Sequence, residues 1–303
     1  MEQPGFGARV AASVADTGPL CAGIDPSGSL LRRWGLSDDA DGLRRFGSRC
    51  VEAFAGVVPV VKPQVAFFER WGSAGMAALE SVIAEARAAG LLVIADAKRG
   101  DIDSTAEAYA SAWLDPRSPL SADAVTALPY MGIGALRPMI DLAAAGGRGV
   151  IVVVRSSNPE GRALQEALTA LGSGPSVEDM LLAEVAALNE SNEQPRSTGT
   201  VGVVVGATLQ PSSFPLARVG GVILSPGIGA QGATGDDLTA LFGGCPPGSV
   251  LASVSRSLLA AGPDVATLRA AAVAVRDEMA AALGRGPRSP VSARRAAGPR
   301  RSR

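Results

Sequence analysis

The sequence predicts an α/β protein with a single-domain (β/α)8 TIM-barrel fold, and three observations support this prediction. The chain has 303 residues, of which 47% are hydrophobic and 19% are charged, as in ordinary globular proteins. Eight short apolar runs alternate with longer segments of helical periodicity. Eight units of this kind in about 260 residues fit a closed barrel better than an open doubly wound sheet.

The apolar runs are continuous rather than alternating, which is typical of parallel strands that are buried on both faces. The predicted strands are Leu20–Ile24, Val57–Val61, Leu91–Ala95, Ala122–Ala127, Val150–Val154, Thr200–Val205, Gly221–Leu224 and Ser249–Ala252.

Between the strands, apolar residues recur at helical spacing. A final helix is predicted over Pro263–Leu283, with Pro263 in its first turn. The segment Pro159–Thr198 is too long for one helix and is predicted to hold two, separated at Gly172–Pro175. The other predicted helices are Ala74–Ala89, Thr105–Leu114, Ala135–Ala145, Val177–Leu188 and Asp237–Phe242.

The barrel is predicted to span residues 1–283, and a basic tail follows over residues 284–303. The tail carries seven arginines and no acidic residue, so the rest of the chain has a net charge of −8 against −1 for the whole. Its arginine, proline and serine content predicts a disordered segment rather than an arm that binds nucleic acid.

Several classes of protein are excluded by composition. There is no histidine, which excludes histidine-based triads and most transition-metal sites. Three distant cysteines without a CxxC pair fit a reduced cytoplasm and argue against a disulfide framework. No apolar run approaches the roughly 18 residues of a membrane span, and the N-terminus lacks the pattern of a secretory signal, so a cytoplasmic protein without membrane partners is expected.

Lysine is rare in this chain. Of 28 basic residues only Lys62 and Lys98 are lysines, although arginine serves wherever a surface cation is sufficient. A lysine ammonium releases its proton when burial and neighbouring charges tune it, whereas arginine stays protonated. The two lysines are therefore candidates for chemistry that arginine cannot perform.

Charged residues follow the first three predicted strands, where a barrel carries its chemistry. Asp25 follows the first strand, Lys62 the second, and Asp96 and Lys98 the third. Asp96 and Lys98 are two residues apart on a segment expected to be extended, so both side chains should point the same way. A structural ion-pair network is the alternative, but such networks rarely gather at strand ends, and this composition would supply arginine for them.

The loop that follows the seventh predicted strand, Ser225–Gly232, formally contains GxGxxG. A dinucleotide-binding fold needs this motif at the first βα turn, with an acidic residue about twenty positions later. Here the motif follows the seventh strand, so the dinucleotide-binding interpretation fails. Glycine-rich loops after the seventh and eighth strands commonly bind phosphate in barrels, and Arg256 is placed to clamp it. A purely structural turn remains the alternative.

The segment Arg155–Pro159 offers polar groups that could contact a heterocycle, although it also fits an ordinary turn.

Together these motifs resemble the orotidine 5′-phosphate decarboxylase family. The resemblance rests on Asp96-x-Lys98-x-x-Asp101, the lone Lys62 one strand earlier, Asp25 before it, and the SPGIGAQG loop followed by Arg256. It extends in order from about residue 19 to 283. The Ser157-Asn158-Pro159 element and the long insertion after the fifth strand resemble the mycobacterial branch.

The resemblance implies a cofactor-free and metal-free barrel that works as a homodimer. It implies conversion of orotidine 5′-phosphate to UMP and CO2, the last step of de novo pyrimidine synthesis. Lys98 would donate the proton to C6 of the pyrimidine, and Asp96 would lie against the departing carboxylate. Lys62 would orient Asp96 and a ribose hydroxyl, and Asp25 would also bind the ribose.

The remaining site residues also follow from the resemblance. Asp101 and Thr105 would reach across the dimer interface into the neighbouring site. Ser157 would contact the pyrimidine, while Gln231 and Arg256 would hold the phosphate. Many family members have glycine before the phosphate-binding arginine, whereas this chain has a serine at position 255.

Two other functions are weighed against this one. A magnesium-dependent relative, such as a hexulose-phosphate synthase-like lyase, shares the Asp-x-Lys-x-x-Asp motif but needs a further acidic residue at a strand end. The second strand ends instead in Lys62, which argues against a metal. A catalytically dead barrel whose tail binds RNA is disfavoured because every charged position of the motif is present.

Overall fold

The chain folds into a closed barrel of eight parallel strands, as seen in a computed structural model that describes residues 4–190, 199–208, 213–229 and 232–284. Each strand pairs with the next, and the first pairs with the last to close the barrel. The strands are β1 Leu20–Ile24, β2 Val60–Pro63, β3 Leu92–Arg99, β4 Ala124–Ala127, β5 Gly149–Arg155, β6 Val201–Val205, β7 Ile223–Ser225 and β8 Val250–Val254.

Helices surround the barrel in the described residues. They are α1 Phe6–Thr17, α2 Gly28–Arg33, α3 Ala40–Phe54, α4 Ala66–Glu69, α5 Gly72–Ala88, α6 Asp103–Leu114, α7 Arg137–Ala145, α8 Arg162–Gln165, α9 Val177–Glu190, α10 Gly235–Phe242, α11 Arg256–Leu259 and α12 Val265–Ala282. Short 3-10 turns lie at Ile133–Leu136, Pro159–Gly161, Ala170–Gly172 and Leu216–Arg218.

The predicted barrel and the order of its eight strands are confirmed, and β2 and β3 differ most from their predicted bounds. β2 begins only at Val60, because the backbone amides of Val57 and Val58 both donate to the carbonyl of Phe54 at the end of α3. β3 continues to Arg99, so Asp96 and Lys98, which were placed after the strand, lie within it.

The helices also differ from the prediction in places. α12 begins at Val265 rather than at Pro263, because the side chain of Asp264 accepts the amide of Thr267 and caps the helix there. The first of the two helices predicted in the insertion is only the four-residue α8, although the predicted break before α9 is confirmed. Helices α1 to α4 and the short α11 were not predicted.

Apolar residues form two layers. One fills the space between the strands and the surrounding helices. The other fills the barrel interior with at least one residue from each strand, and α1 adds three buried side chains to it, Phe6, Val10 and Val14. Arg9 of α1 reaches Asp123, just before β4, so this helix covers the N-terminal end of the barrel. The opposite end is left for a polar site.

Within the described ranges, every helix is too short or too polar to span a membrane. Residues 285–303 lie outside the described ranges, so the domain boundary at 283 and the disordered tail stay predictions.

Candidate active site

A cavity of about 330 Å³ opens at the C-terminal ends of the strands. It is the end of the barrel that α1 leaves uncovered. Most of the charged and polar side chains predicted for the site line this cavity, and others join them. The principal polar lining residues are Asp25, Lys62, Gln64, Asp96, Lys98, Thr126, Ser156, Ser157, Asn158, Ser253, Ser255 and Arg256.

At the centre of the site, the carboxylate of Asp96 lies between the two lysines of the chain. Lys62 Nζ lies 2.8 Å from Asp96 Oδ2, and Lys98 Nζ lies 2.5 Å from Asp96 Oδ1. The side chains of Lys62 and Asp96 are almost fully buried, whereas 43% of the Lys98 side chain is exposed. The two ammonium groups therefore differ: one is enclosed by protein and the other faces the cavity.

Two further side chains that the sequence analysis missed also hold Asp96. Gln64 Nε2 donates to Asp96 Oδ2 at 3.2 Å, and Thr126 Oγ1 donates to Asp96 Oδ1 at 3.0 Å. Gln64 lies two residues after Lys62, at a spacing that returns its side chain to the same face of an extended segment. Thr126 lies near the end of a predicted strand. Both positions were therefore accessible to the same strand-end argument.

The opposite charges of the cluster stabilise each other's ionised forms. Burial alone would raise the pKa of Asp96, but the nearby Lys62 and Lys98 outweigh it and hold that pKa well below its usual range. Burial alone would lower the pKa of Lys62, but Asp96 and Asp25 outweigh it and raise the pKa above its usual range. At neutral pH both groups are therefore charged, despite their removal from water.

The third strand is irregular where it carries the reactive residues. Ala95 pairs with Val125 and Arg99 pairs with Ala127, so three residues of β3 lie opposite the single Thr126 of β4. Within this bulge Lys98 has a φ of 49°, in the left-handed region that side chains other than glycine rarely adopt. The expected regular extended geometry is therefore wrong here: a bulge directs Lys98 toward Asp96, as bulges beside active sites commonly redirect side chains.

Asp25 directly follows β1 and accepts a hydrogen bond from the residue that directly follows β8. Ser255 Oγ donates to Asp25 Oδ2 at 2.6 Å, while Asp25 Oδ1 is buried and has no hydrogen-bond partner among the described residues. A Cβ at Gly23 would come within 2.5 Å of Ser255 Cβ, so Gly23 is needed for this close approach. The serine that departs from the family pattern thus binds Asp25.

The glycine-rich loop borders the same cavity. Gly227 and Ile228 line it, and Gly227 and Gly229 have φ values of 100° and 71°, which a residue with a side chain adopts only at a cost. Arg256, at the start of α11, lines the cavity too, as does Ser157 after β5. Gln231, a predicted phosphate ligand, lies outside the described residues.

Asp101 and Thr105 are not part of the cavity in their own chain. Asp101 Oδ1 accepts the backbone amide of Ile102 at 2.8 Å, and Thr105 is exposed on the first turn of α6. Asp101 lies shortly after β3, and the last residue of β3 is joined to the loop that follows β4, because Leu128 N donates to Arg99 O at 2.9 Å. Their predicted role in a neighbouring site requires a second chain.

The described part of the chain indicates neither a bound metal ion nor a cysteine thiolate as a catalytic group. It contains no group of three or more histidine, cysteine, aspartate or glutamate residues that is arranged to hold a metal ion. Cys21, Cys50 and Cys245 are buried, and burial raises the pKa of Cys21 to about 12, so its thiol is protonated at neutral pH.

Most of the chain matches a known protein family. Residues 18–271 match the model of the orotidine 5′-phosphate decarboxylase / HUMPS family. An orotidine 5′-phosphate decarboxylase of Salinispora arenicola is 55% identical over 278 residues, which cover 92% of this chain and 98% of the relative. A second, from Streptomyces coelicolor, is 51% identical over 267 residues, or 88% of this chain and 94% of the relative.

Solved structures share the fold. A crystal structure of a Streptomyces avermitilis protein has a TM-score of 0.87 and 50% identity, and the match covers 94% of this chain and 98% of that one. The structure of Leishmania donovani OMP decarboxylase has a TM-score of 0.72 and 30% identity, with 92% of this chain and 99% of that chain covered.

Proposed function

Because the chain belongs to the orotidine 5′-phosphate decarboxylase / HUMPS family, we propose that the cavity at the mouth of its barrel is where orotidine 5′-phosphate loses CO2 and becomes UMP. The enzyme is a carboxy-lyase of the last step in UMP synthesis. The observation that carries the assignment of the site is the buried carboxylate of Asp96 held between the only two lysines of the chain.

The chemical problem is the charge left behind when CO2 departs. The bond between C6 of the pyrimidine and its carboxylate carbon breaks, and the electron pair stays on C6 as a carbanion. The exposed ammonium of Lys98 stabilises that charge as it develops and then donates a proton to C6. The products are UMP, CO2 and a neutral Lys98, which recovers its proton from water.

Asp96 and Lys62 prepare the site for this step. The ionised Asp96 repels the substrate carboxylate beside it, and the repulsion disappears once neutral CO2 leaves, so it favours the transition state over the bound substrate. Lys62 keeps Asp96 charged and in place through its 2.8 Å contact. Its remaining donors are free for a ribose hydroxyl.

Binding energy comes from parts of the substrate that do not react. Asp25, which lines the cavity, accepts a ribose hydroxyl. Arg256 binds the phosphate with the glycine-rich loop, and Ser157 contacts the pyrimidine. The family resemblance adds Gln231 to the proposed phosphate ligands.

The donor set argues against a magnesium-dependent relative. Asp96 Oδ1 accepts hydrogen bonds from Lys98 and Thr126, and Asp96 Oδ2 accepts them from Lys62 and Gln64. A cation that entered here would have to displace two ammonium groups. The chemistry of the residues therefore favours proton donation over coordination of a hard metal ion.

The reaction is tested by following the absorbance of orotidine 5′-phosphate after mixing with the purified enzyme in EDTA. Rapid conversion to UMP is expected, because the proposed groups all belong to the protein. If nothing happens in EDTA and Mg²⁺ restores activity on sugar phosphates, the function belongs to the metal-dependent relatives instead.

The active enzyme is proposed to be a homodimer in which Asp101 and Thr105 complete the partner's site. Large apolar side chains stay exposed on the two loops beside Asp101, namely Ile102, Leu128, Tyr130 and Met131, and 84% of Tyr130 is exposed. Aromatic and methionine side chains of this kind are enriched in the centres of protein interfaces. They support a contact with a second copy of the chain at this place.

Mixing two inactive variants tests this shared site. A hybrid of a Lys98→Ala chain and an Asp101→Ala chain contains one site with both residues intact if Asp101 acts across the interface. After the subunits exchange, about a quarter of the wild-type activity should return, because half of the dimers are hybrids with one intact site each. If Asp101 acts within its own chain or the enzyme is a monomer, no activity returns.

A further inference from the structure

We propose that Thr126 is a positioning residue that fixes Lys98 and Asp96 relative to each other for proton transfer. The inference deepens the proposed function and rests on its assignment of Lys98 as the proton donor. Thr126 is not among the residues that the resemblance implicates. It is singled out because it forms hydrogen bonds with both Lys98 and Asp96.

The surroundings of Thr126 are buried and closely defined. Only 1% of the residue is exposed, and it lies on β4 opposite the bulge of β3 that carries Asp96 and Lys98. The backbone amide of Lys98 donates to Thr126 Oγ1 at 2.9 Å. Thr126 Oγ1 in turn donates to Asp96 Oδ1 at 3.0 Å.

The direction of these bonds follows from the chemistry of the groups. A backbone amide only donates, so the Thr126 oxygen must accept from Lys98 N. An ionised carboxylate only accepts, and Asp96 is ionised because of its lysines, so the single hydroxyl proton of Thr126 must point to Asp96 Oδ1. One hydroxyl therefore connects the backbone of the proton donor to the carboxylate beside it.

This connection matters because of how Lys98 is held. Its backbone lies in the left-handed region, and 43% of its side chain is exposed. The strained backbone persists only if neighbouring groups fix it, and Thr126 supplies the hydrogen bond to its amide. Asp96 Oδ1 accepts both the hydroxyl of Thr126 and the ammonium of Lys98, so Thr126 binds the backbone amide of the lysine and also the carboxylate oxygen that holds its ammonium.

The test compares Thr126→Val, which keeps the shape and loses the hydroxyl, with Thr126→Ser, which keeps the hydroxyl. Thr126→Val should lower kcat about 100-fold, because small misplacement of a reacting group costs that much. The affinity for UMP, measured by titration, should change by less than about threefold, because the product's binding contacts remain. Thr126→Ser should restore kcat to within about threefold of wild type. The pair Thr126→Ser and Thr126→Ala makes the same comparison if the valine variant does not fold.

Ser121→Ala serves as a matched control, because it removes a buried hydroxyl without a hydrogen-bond partner just before the start of the same strand. Its kcat should equal that of wild type. The proposal is overturned if Thr126→Val keeps the wild-type kcat, or if the valine and serine variants lose kcat equally. Lys98→Ala is measured alongside: if it stays active, the proposed function itself fails, whereas an inactive Lys98→Ala beside a normal Thr126→Val overturns only this inference.

Discussion

Two aspartates, one at each end of the barrel, are equally buried but have different surroundings. The side chains of Asp96 at the C-terminal end and Asp123 at the N-terminal end are each 10% exposed, and each lies in an ion pair. Asp123 accepts Arg9 Nη1 at 2.5 Å and the backbone amide of Val93 at 2.9 Å. Helix α1 covers that end of the barrel, and its apolar face packs into the interior.

The difference lies in the partners and in the space beside them. Arginine and a backbone amide fix Asp123 in a closed structural contact. Two lysines, one of them exposed, surround Asp96 beside a cavity of about 330 Å³. Burial and ion pairing are thus common to both ends, whereas partners able to release a proton, together with room for a ligand, distinguish the end that performs chemistry.

Replacement of each aspartate by asparagine should give the largest difference in effect between the two ends of the barrel. Asp96→Asn should lower kcat at least about 1,000-fold, because it removes the charge beside the departing carboxylate and leaves two lysines without their counter-ion. Asp123→Asn should cost about 3 kcal/mol in the free energy of unfolding, since it breaks a buried ion pair, and should leave kcat unchanged. Steady-state kinetics and urea unfolding of both variants measure the contrast.

The opposite pattern would remove the distinction between the ends. If Asp123→Asn lowered kcat per folded molecule as much as Asp96→Asn does, the N-terminal ion pair would be coupled to the reaction rather than structural.

Replacement of an arginine at each end of the barrel should give a second and smaller difference in effect. Arg256→Ala should raise KM for orotidine 5′-phosphate about 10- to 100-fold, because it removes a charged hydrogen-bonding group from the phosphate. Arg9→Ala should destabilise the fold and leave KM as it is. Binding of UMP and of uridine is then compared by titration, and an equal loss for both ligands in Arg256→Ala would show that this arginine does not bind the phosphate.

The dependence of stability on pH gives the smallest contrast. The pKa of Asp96 is lowered in the folded state, so the stability that its charge contributes is complete above the unfolded pKa of about 4 and is lost as the pH falls toward the folded pKa. Between pH 5 and pH 3, wild type should lose about 1 kcal/mol relative to Asp96→Asn. Urea unfolding at both pH values checks this, and a relative gain for wild type at pH 3 would contradict the pKa shift.

Much of the site could be predicted from sequence because barrel topology brings strand ends together. Asp25, Lys62, Asp96 and Lys98 each follow an apolar run, and parallel strands place such positions at one end. The covering helix α1 was also accessible in principle, since Phe6, Val10 and Val14 recur every four residues. These features depend on local periodicity, which a sequence displays directly.

The rest depends on contacts that periodicity does not encode. The bulge of β3 places Lys98 in a backbone conformation for which lysine has no preference, so nothing in the sequence marks it. Ser255 and Asp25 are 230 residues apart and meet only because the barrel closes. Thr126 lies near a predicted strand end, but its hydrogen bonds to Lys98 and Asp96 became identifiable only once the register of β3 against β4 was known.

The central claim is that the exposed lysine at the mouth protonates C6, and Lys98→Ala tests it most directly. We expect kcat for orotidine 5′-phosphate to fall at least about 1,000-fold, because both charge stabilisation and the proton are lost. The affinity for UMP and the free energy of unfolding should stay near those of wild type, since Lys62, Gln64 and Thr126 still hold Asp96. A Lys98→Ala enzyme with a near-normal kcat would contradict the account.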